Sequence, residues 1–202
     1  VNRMLRIARE ADPGVITVVG GPHPTAVGGS VFSEIDNLDF AVSGEGETAL
    51  PLLARNILSG ANTFDEIPGL AYKDKEGIKL NPSRVIEDID SLDIPAWDAI
   101  APCGYPDEVE GAFYKSFPVA PIVTSRGCPH ECTFCANQLS MGRRSRFRSI
   151  ENVMAEIEHL VNEYGVKEIQ ILDDNFTVNR KRVLDFGRRI REKKIKIDIS
   201  FP

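Results

Sequence analysis

No stretch of this 202-residue chain is apolar over the roughly 20 residues that a bilayer-crossing helix needs, so no membrane segment is legible in it. Tryptophan occurs once, histidine three times and cysteine four times. Four cysteines in a chain this long do not make a disulfide framework, and three of them fall within eight residues. Such clustering argues for a reducing compartment, and the expected location is the cytoplasm. The chain also lacks internal repeats, low-complexity tracts and the positive excess of a nucleic-acid binder: its net charge is −6. That charge is uneven, with 10 basic against 20 acidic residues up to Leu139 and 14 against 10 from Ser140 onward. What is there, 42% hydrophobic and 27% charged, is the composition of a globular protein of one large or two small domains. The first residue is valine, and the chain stops on Phe201 and Pro202 after an unfinished strand. It reads as a piece of a longer protein, so the lack of a signal peptide says nothing of the parent.

The stretch around which the rest is organised is TSRGCPHECTFCANQ, residues 124–138, with Cys128, Cys132 and Cys135 in C-x3-C-x2-C spacing. A tight loop can aim three thiolates so spaced at one point, and iron or zinc is the natural guest. A closed structural zinc site, like most iron-sulfur clusters, takes four protein ligands, whereas this loop offers three cysteines. His130 or the distant Cys103 could close the set. A four-iron cube held by three cysteines instead keeps one iron open to a substrate or cosubstrate.

The rest of the chain alternates helix and strand. Residues 2–11 read as a helix ended by Asp12-Pro13-Gly14, 15–19 as a buried strand before Gly20-Gly21, 25–35 as a helix, and 39–43 as a second buried strand. A helix follows over 48–59, then a hairpin over 69–81 and an acidic, proline-punctuated link in which Trp97 and Cys103 are expected to pack. Residues 119–124 read as the strand that delivers the cysteine loop. Beyond it, Ser149 is the expected N-cap of a helix ending at Gly165. A strand over 167–172 then leads to Asp173-Asp174-Asn175-Phe176, Asn179 caps another helix running to about residue 193, and a further strand begins at 195. This alternation means parallel α/β architecture, with ligand sites at the carboxyl ends of the strands. The four arginines within residues 143–148, and the basic residues of 180–196, are expected to be largely solvated, with one arginine of the first group a candidate anion partner. His23 reads as a loop residue.

With Phe134 just before Cys135, the loop resembles the radical S-adenosylmethionine (SAM) signature, C-x3-C-x-aromatic-C. The resemblance implies a [4Fe-4S] cluster on Cys128, Cys132 and Cys135 whose open iron is chelated by SAM, with Phe134 beside the cluster and adenine or else a plain core aromatic. It implies that an acid of the pair Asp173 and Asp174 binds the SAM amino group. VVGGPHPT and DFAVSGEGE resemble the C-terminal part of the cobalamin-binding domain found ahead of many radical SAM cores, with Gly20 and Gly21 at the cofactor's nucleotide tail. The cobalt-ligating loop of that domain would lie before Val1.

The expected fold is therefore the C-terminal part of a doubly wound, Rossmann-like cobalamin domain (1–60), a hairpin and linker (61–117), and the first half of a partial (β/α)6 radical SAM barrel (118–202). The expected function is that of the branch containing cobalamin-dependent methyltransferases and anaerobic magnesium-protoporphyrin ester cyclases. It acts on a small molecule and is fed electrons by a flavodoxin or ferredoxin. Half a barrel does not exclude water from a radical, so the isolated piece is expected to be inactive. A non-catalytic iron-sulfur or corrinoid-binding module, or a small zinc-stabilised interaction domain, is the alternative.

Overall fold

A computed structural model describes residues 1–61, 63–107 and 114–201. The chain divides into two compact units, one comprising Val1–Ile86 with Cys132–Met141 and the other Glu87–Glu131 with Gly142–Pro202.

In the first unit, α1 (Asn2–Ala11) precedes β1 (Val18–Val19), which pairs in parallel with β2 (Phe40–Val42) in the register Val18 to Phe40. The connection between them is not the single helix that its composition suggested. It is α2 (Pro22–Val27), a 3-10 turn over Gly28–Ser30, and α3 (Val31–Glu34). Gly28, at φ +58, takes a left-handed conformation that ends the first helix. Buried Val31, Phe32, Ile35 and Leu38 then pack on one side of the strands.

On the other side, α4 (Gly46–Ser59) buries Ala49 and Leu53 and ends at left-handed Gly60. The helix starts two residues earlier than expected, and the side chain of its N-cap residue, Glu45, reaches outward to accept the Ile86 N–H at 2.6 Å. The hairpin β3 (Leu70–Asp74) and β4 (Gly77–Leu80) is no separate linker: β3 joins β2 antiparallel, giving the four-stranded order β1-β2-β3-β4. In isolation such a hairpin would be marginal, since a lone two-stranded hairpin buries too little surface. The last piece of this unit, Cys132–Met141, contains α5 (Asn137–Ser140).

The second unit is a parallel sheet in the order β5-β8-β9, formed by β5 (Val119–Ile122), β8 (Glu168–Ile171) and β9 (Asp198–Ser200). Between β5 and β8 lie the antiparallel pair β6 (Ser125–Arg126) and β7 (Arg146–Phe147) and then α6 (Ile150–Tyr164); α7 (Arg180–Glu192) joins β8 to β9.

Because strand side chains alternate, one face carries Ala120, Ile122, Ile169, Ile171 and Ile199. This face packs on Val153, Met154, Ile157 and Leu160 of α6 and on Phe186 of α7 to form the core. The opposite face carries Val119 and Pro121, Glu168 and Gln170, Asp198 and Ser200, in register across the three strands. Ser149 caps α6 by accepting the Asn152 N–H at 3.1 Å, and Asn179 caps α7 by accepting the Arg182 N–H at 3.1 Å. At the amino ends of the strands, buried Glu168 accepts the N–H groups of Lys115 and Ser116, at 2.7 and 2.9 Å.

Candidate active site at the carboxyl ends of the strands

In the second unit β5 ends at Ile122, two residues short of the expected strand, and the chain leaving it passes through Thr124, whose polar groups all have partners. Asp173, at the end of β8 and 8% exposed, receives the Thr124 N–H and Oγ1–H, each at 2.6 Å. It also receives the Ser125 N–H at 2.9 Å and the Ser125 Oγ–H at 2.6 Å. One carboxylate oxygen, Oδ1, therefore accepts both backbone protons, and the other, Oδ2, accepts both hydroxyl protons. The Thr124 carbonyl accepts from the Arg148 N–H at 3.0 Å and from Arg182 Nη2 at 2.9 Å. Four donors to one carboxylate thus fix the segment that leads into the cysteine loop.

Asp174 has a different environment. It is exposed, and one oxygen accepts the Gly127 N–H at 3.0 Å while the other has no partner among the described residues. A carboxylate so placed can accept protons from an ammonium group, whereas the oxygens of Asp173 are occupied. The sequence left open which aspartate turns inward; in the structure it is Asp173.

The arginines depart from the solvated reading. Arg143 pairs with Glu131 and Arg144 with Glu87, both at the surface. Arg146 is 5% exposed, and Arg148 reaches buried Glu156 on α6. Glu156 sits among the core residues with no exposure, and the indole N–H of Trp97 donates to its other oxygen at 3.1 Å. Trp97 thus packs as expected, at the edge of the core. Arg182, placed by its sequence among solvated basic residues, is buried instead, with its guanidinium 5.4 and 5.8 Å from the ring centroids of Phe147 and Phe176. Burial pushes this guanidinium below its ordinary pKa, with nearby Asp173 pulling the other way. Its spacing of four from Phe186 and eight from Ile190 was the available signal, since those positions share a helical stripe.

The cysteines are all free thiols. Cys128 is half-buried, in the second unit, and its N–H donates to the Gly142 carbonyl at 3.2 Å. Cys132 and Cys135 are exposed, and their turn is closed by the Cys135 N–H donating to the Cys132 carbonyl at 3.1 Å. Among the described residues, no three His, Cys, Asp or Glu side chains are gathered in a metal-holding group. The donor chemistry nonetheless fits an iron-sulfur cluster: three unoxidised thiols with no fourth cysteine beside them. Cys103 is exposed rather than packed. It occupies the turn Pro102–Gly104, whose Pro102 lines a cavity with the residues that begin β5, so it adjoins the opposite end of that strand from Cys128. Phe134 is 91% exposed, which excludes plain core packing.

In the first unit the glycine pair divides. Gly21 has φ +102 with open space where a Cβ would lie, so this position requires glycine and offers bare backbone. A Cβ on Gly20 would meet nothing closer than the Val42 carbonyl oxygen at 3.8 Å, an ordinary contact. His23 lies in α2 rather than a loop, paired with Glu34 at 2.7 Å.

Residues 122–202 match the family model described as the radical SAM superfamily. An uncharacterized methyltransferase of Pyrococcus horikoshii is 36% identical over 197 residues, which is 97% of this chain and 41% of that protein. The anaerobic magnesium-protoporphyrin IX monomethyl ester cyclase of Cereibacter sphaeroides is 36% identical over 185 residues, 90% of this chain and 29% of that protein. The chain thus spans less than half the length of either relative. Among solved structures, the cobalamin-dependent SAM radical enzyme OxsB, with aqua-cobalamin and SAM bound, superposes with a TM-score of 0.72 at 20% identity. That superposition covers 98% of this chain and 27% of OxsB, and supports the α/β fold.

Proposed function

We propose, from the match of residues 122–202 to the radical SAM family model, that the protein is the cofactor-bearing part of a cobalamin-linked radical SAM enzyme that methylates or oxidatively cyclises a small molecule. Cys128, Cys132 and Cys135 would hold a [4Fe-4S] cluster. When bound, the cluster would supply one-electron reductive cleavage of SAM.

The chain's own residues divide the remaining work. Asp174 presents its free oxygen to the SAM ammonium group, and Asp173 holds the end of β5 in place for the loop. Phe134, whose ring is 91% exposed, would pack beside the cluster and adenine. Bare backbone at Gly21 lets the nucleotide tail of cobalamin approach. The electron comes from an external donor of the flavodoxin or ferredoxin class. Substrate turnover belongs to a protein of the relatives' full length, because half a barrel does not shield a radical from water.

The observation that carries this reading is the three-thiol loop directly following a strand end that is fixed by four hydrogen bonds to one buried carboxylate. Its test is anaerobic reconstitution with iron and sulfide, followed by paramagnetic resonance of the reduced protein with and without SAM. The expected result is a [4Fe-4S] signal that SAM perturbs; a cluster indifferent to SAM would leave only a binding module. Replacing Cys128, Cys132 or Cys135 by alanine should each abolish iron incorporation. Cys103→Ala should leave iron content unchanged, and iron loss in that variant would overturn the three-cysteine assignment.

A further inference from the structure

The sheet of the second unit has a face that its helices do not cover, and a cavity of about 470 Å³ lies on it. This volume is within the usual range for small-molecule sites. Its wall is aromatic, formed by Trp97, Tyr105, Tyr114 and Phe117 together with several prolines. Trp97 offers a ring face rather than a donor, because its indole N–H is already engaged by Glu156. Among the described residues the lining contains no lysine, arginine or histidine and one acid, Asp107, so none of them offers an anionic ligand a cation to pair with.

On the strand side, one polar side chain breaks the apolar floor. Gln170, at the centre of the middle strand β8, lines the cavity, and its carboxamide makes no hydrogen bond to any described residue. Beside it in register is Ser200, whose buried hydroxyl also has no partner among the described residues. A carboxamide left without a partner on an apolar floor favours a ligand that supplies one.

We propose that this cavity is an anchoring subsite for the non-reacting end of the substrate, and that it selects an uncharged, planar ring system bearing a carbonyl oxygen that accepts from the Gln170 carboxamide. The proposal rests on the radical SAM reading for its role, though not for its binding chemistry. Gln170 precedes Asp173 by three residues, on the order of 10 Å along a strand. An elongated substrate anchored on Gln170 therefore reaches toward the strand ends, where the proposed cofactors act. Binding energy gained at such a remote end can be used to position the reacting carbon.

The test needs no cluster. Trp97 is the only tryptophan of the chain, so its fluorescence reports this cavity directly. The probe is 6-propionyl-2-dimethylaminonaphthalene, a planar ketone, titrated into the cluster-free protein alongside its analogue with the carbonyl reduced to a methylene. Saturable quenching of Trp97 is expected for both, with the ketone binding about fivefold more tightly, the worth of one hydrogen bond. Gln170→Leu should erase that preference while leaving the far-UV circular dichroism and melting curve intact. Val119→Phe, which fills the wall, should weaken both probes at least about tenfold. Quenching that does not saturate would overturn the cavity as a site. Equal affinity of ketone and methylene analogue in the parent, or an undiminished preference in Gln170→Leu, would overturn the role of Gln170. Failure of SAM to perturb the cluster signal would instead strike at the radical reading and leave these titrations standing.

Discussion

Asp173 and Asp174 are neighbours of identical chemistry whose surroundings give them separate tasks, and substitution separates those tasks. Asp173→Ala leaves two N–H groups and two hydroxyls without their acceptor in a buried place, so a loss on the order of 3 kcal/mol or more is expected in urea denaturation. Iron incorporation should fall with it, since the cysteine loop loses its fixed root. Asp174→Ala should keep stability within about 0.5 kcal/mol and retain iron. It should also weaken SAM binding about tenfold or more, as read from the SAM-dependent change in the paramagnetic signal. Equal effects of the two variants would refute the division. The presence of acids at this strand end was legible from DDNF following an apolar run. Their orientation was not, because it is set by Thr124 and Ser125, nearly fifty residues earlier. Arg182 escaped the sequence reading for a related reason: an arginine flanked by Arg180 and Lys181 resembles a solvated face until its alignment with Phe186 is noticed.

Helix α6 carries a buried acid on its apolar stripe, and the cost of that acid is met from outside the helix. Arg148 and Trp97 both donate to Glu156, one from just before the helix and one from the preceding link. Arg148→Met should therefore destabilise the second unit by about 3–5 kcal/mol, because it strands a buried charge. The double variant Arg148→Met with Glu156→Leu should recover most of that loss, since an apolar pair of similar volume suits the surroundings. Urea denaturation followed by Trp97 fluorescence checks both, and a double variant no better than the single one would refute the pairing. The limits of α6 were legible in Ser149 and Gly165 because caps are local chemistry. The break between α2 and α3 had its signal in Gly28-Gly29, yet the apolar spacing across it resembled one continuous helix. The attachment of β3 to β2 had no local signal, since pairing partners nearly thirty residues apart leave no mark in either stretch.

At the scale of the whole chain, each unit has its own hydrophobic core, and the one tryptophan belongs to the second. Ile157→Ala should lower the unfolding free energy reported by Trp97 by about 2–5 kcal/mol. Leu53→Ala should cost a similar amount in the first unit, visible in far-UV circular dichroism, and move the Trp97 transition much less. Equal displacement of the fluorescence transition by both variants would refute this assignment of cores. The alternation of elements made the α/β class readable throughout, because helical and strand periods differ strongly even in short segments. The composition of the two units was not readable, since Cys132–Met141 joins residues from which it is distant in sequence.

The two faces of the β5-β8-β9 sheet have a further consequence, for how such a protein could be altered. Ala120, Ile122, Ile169 and Ile171 hold the sheet to its helices, while Pro121, Gln170 and Ser200 point the other way. A library randomised at those three outward positions would explore new ligand preferences while the interdigitated side keeps its packing. Folding and selectivity are here written on alternate letters of the same three words, and can be edited one at a time.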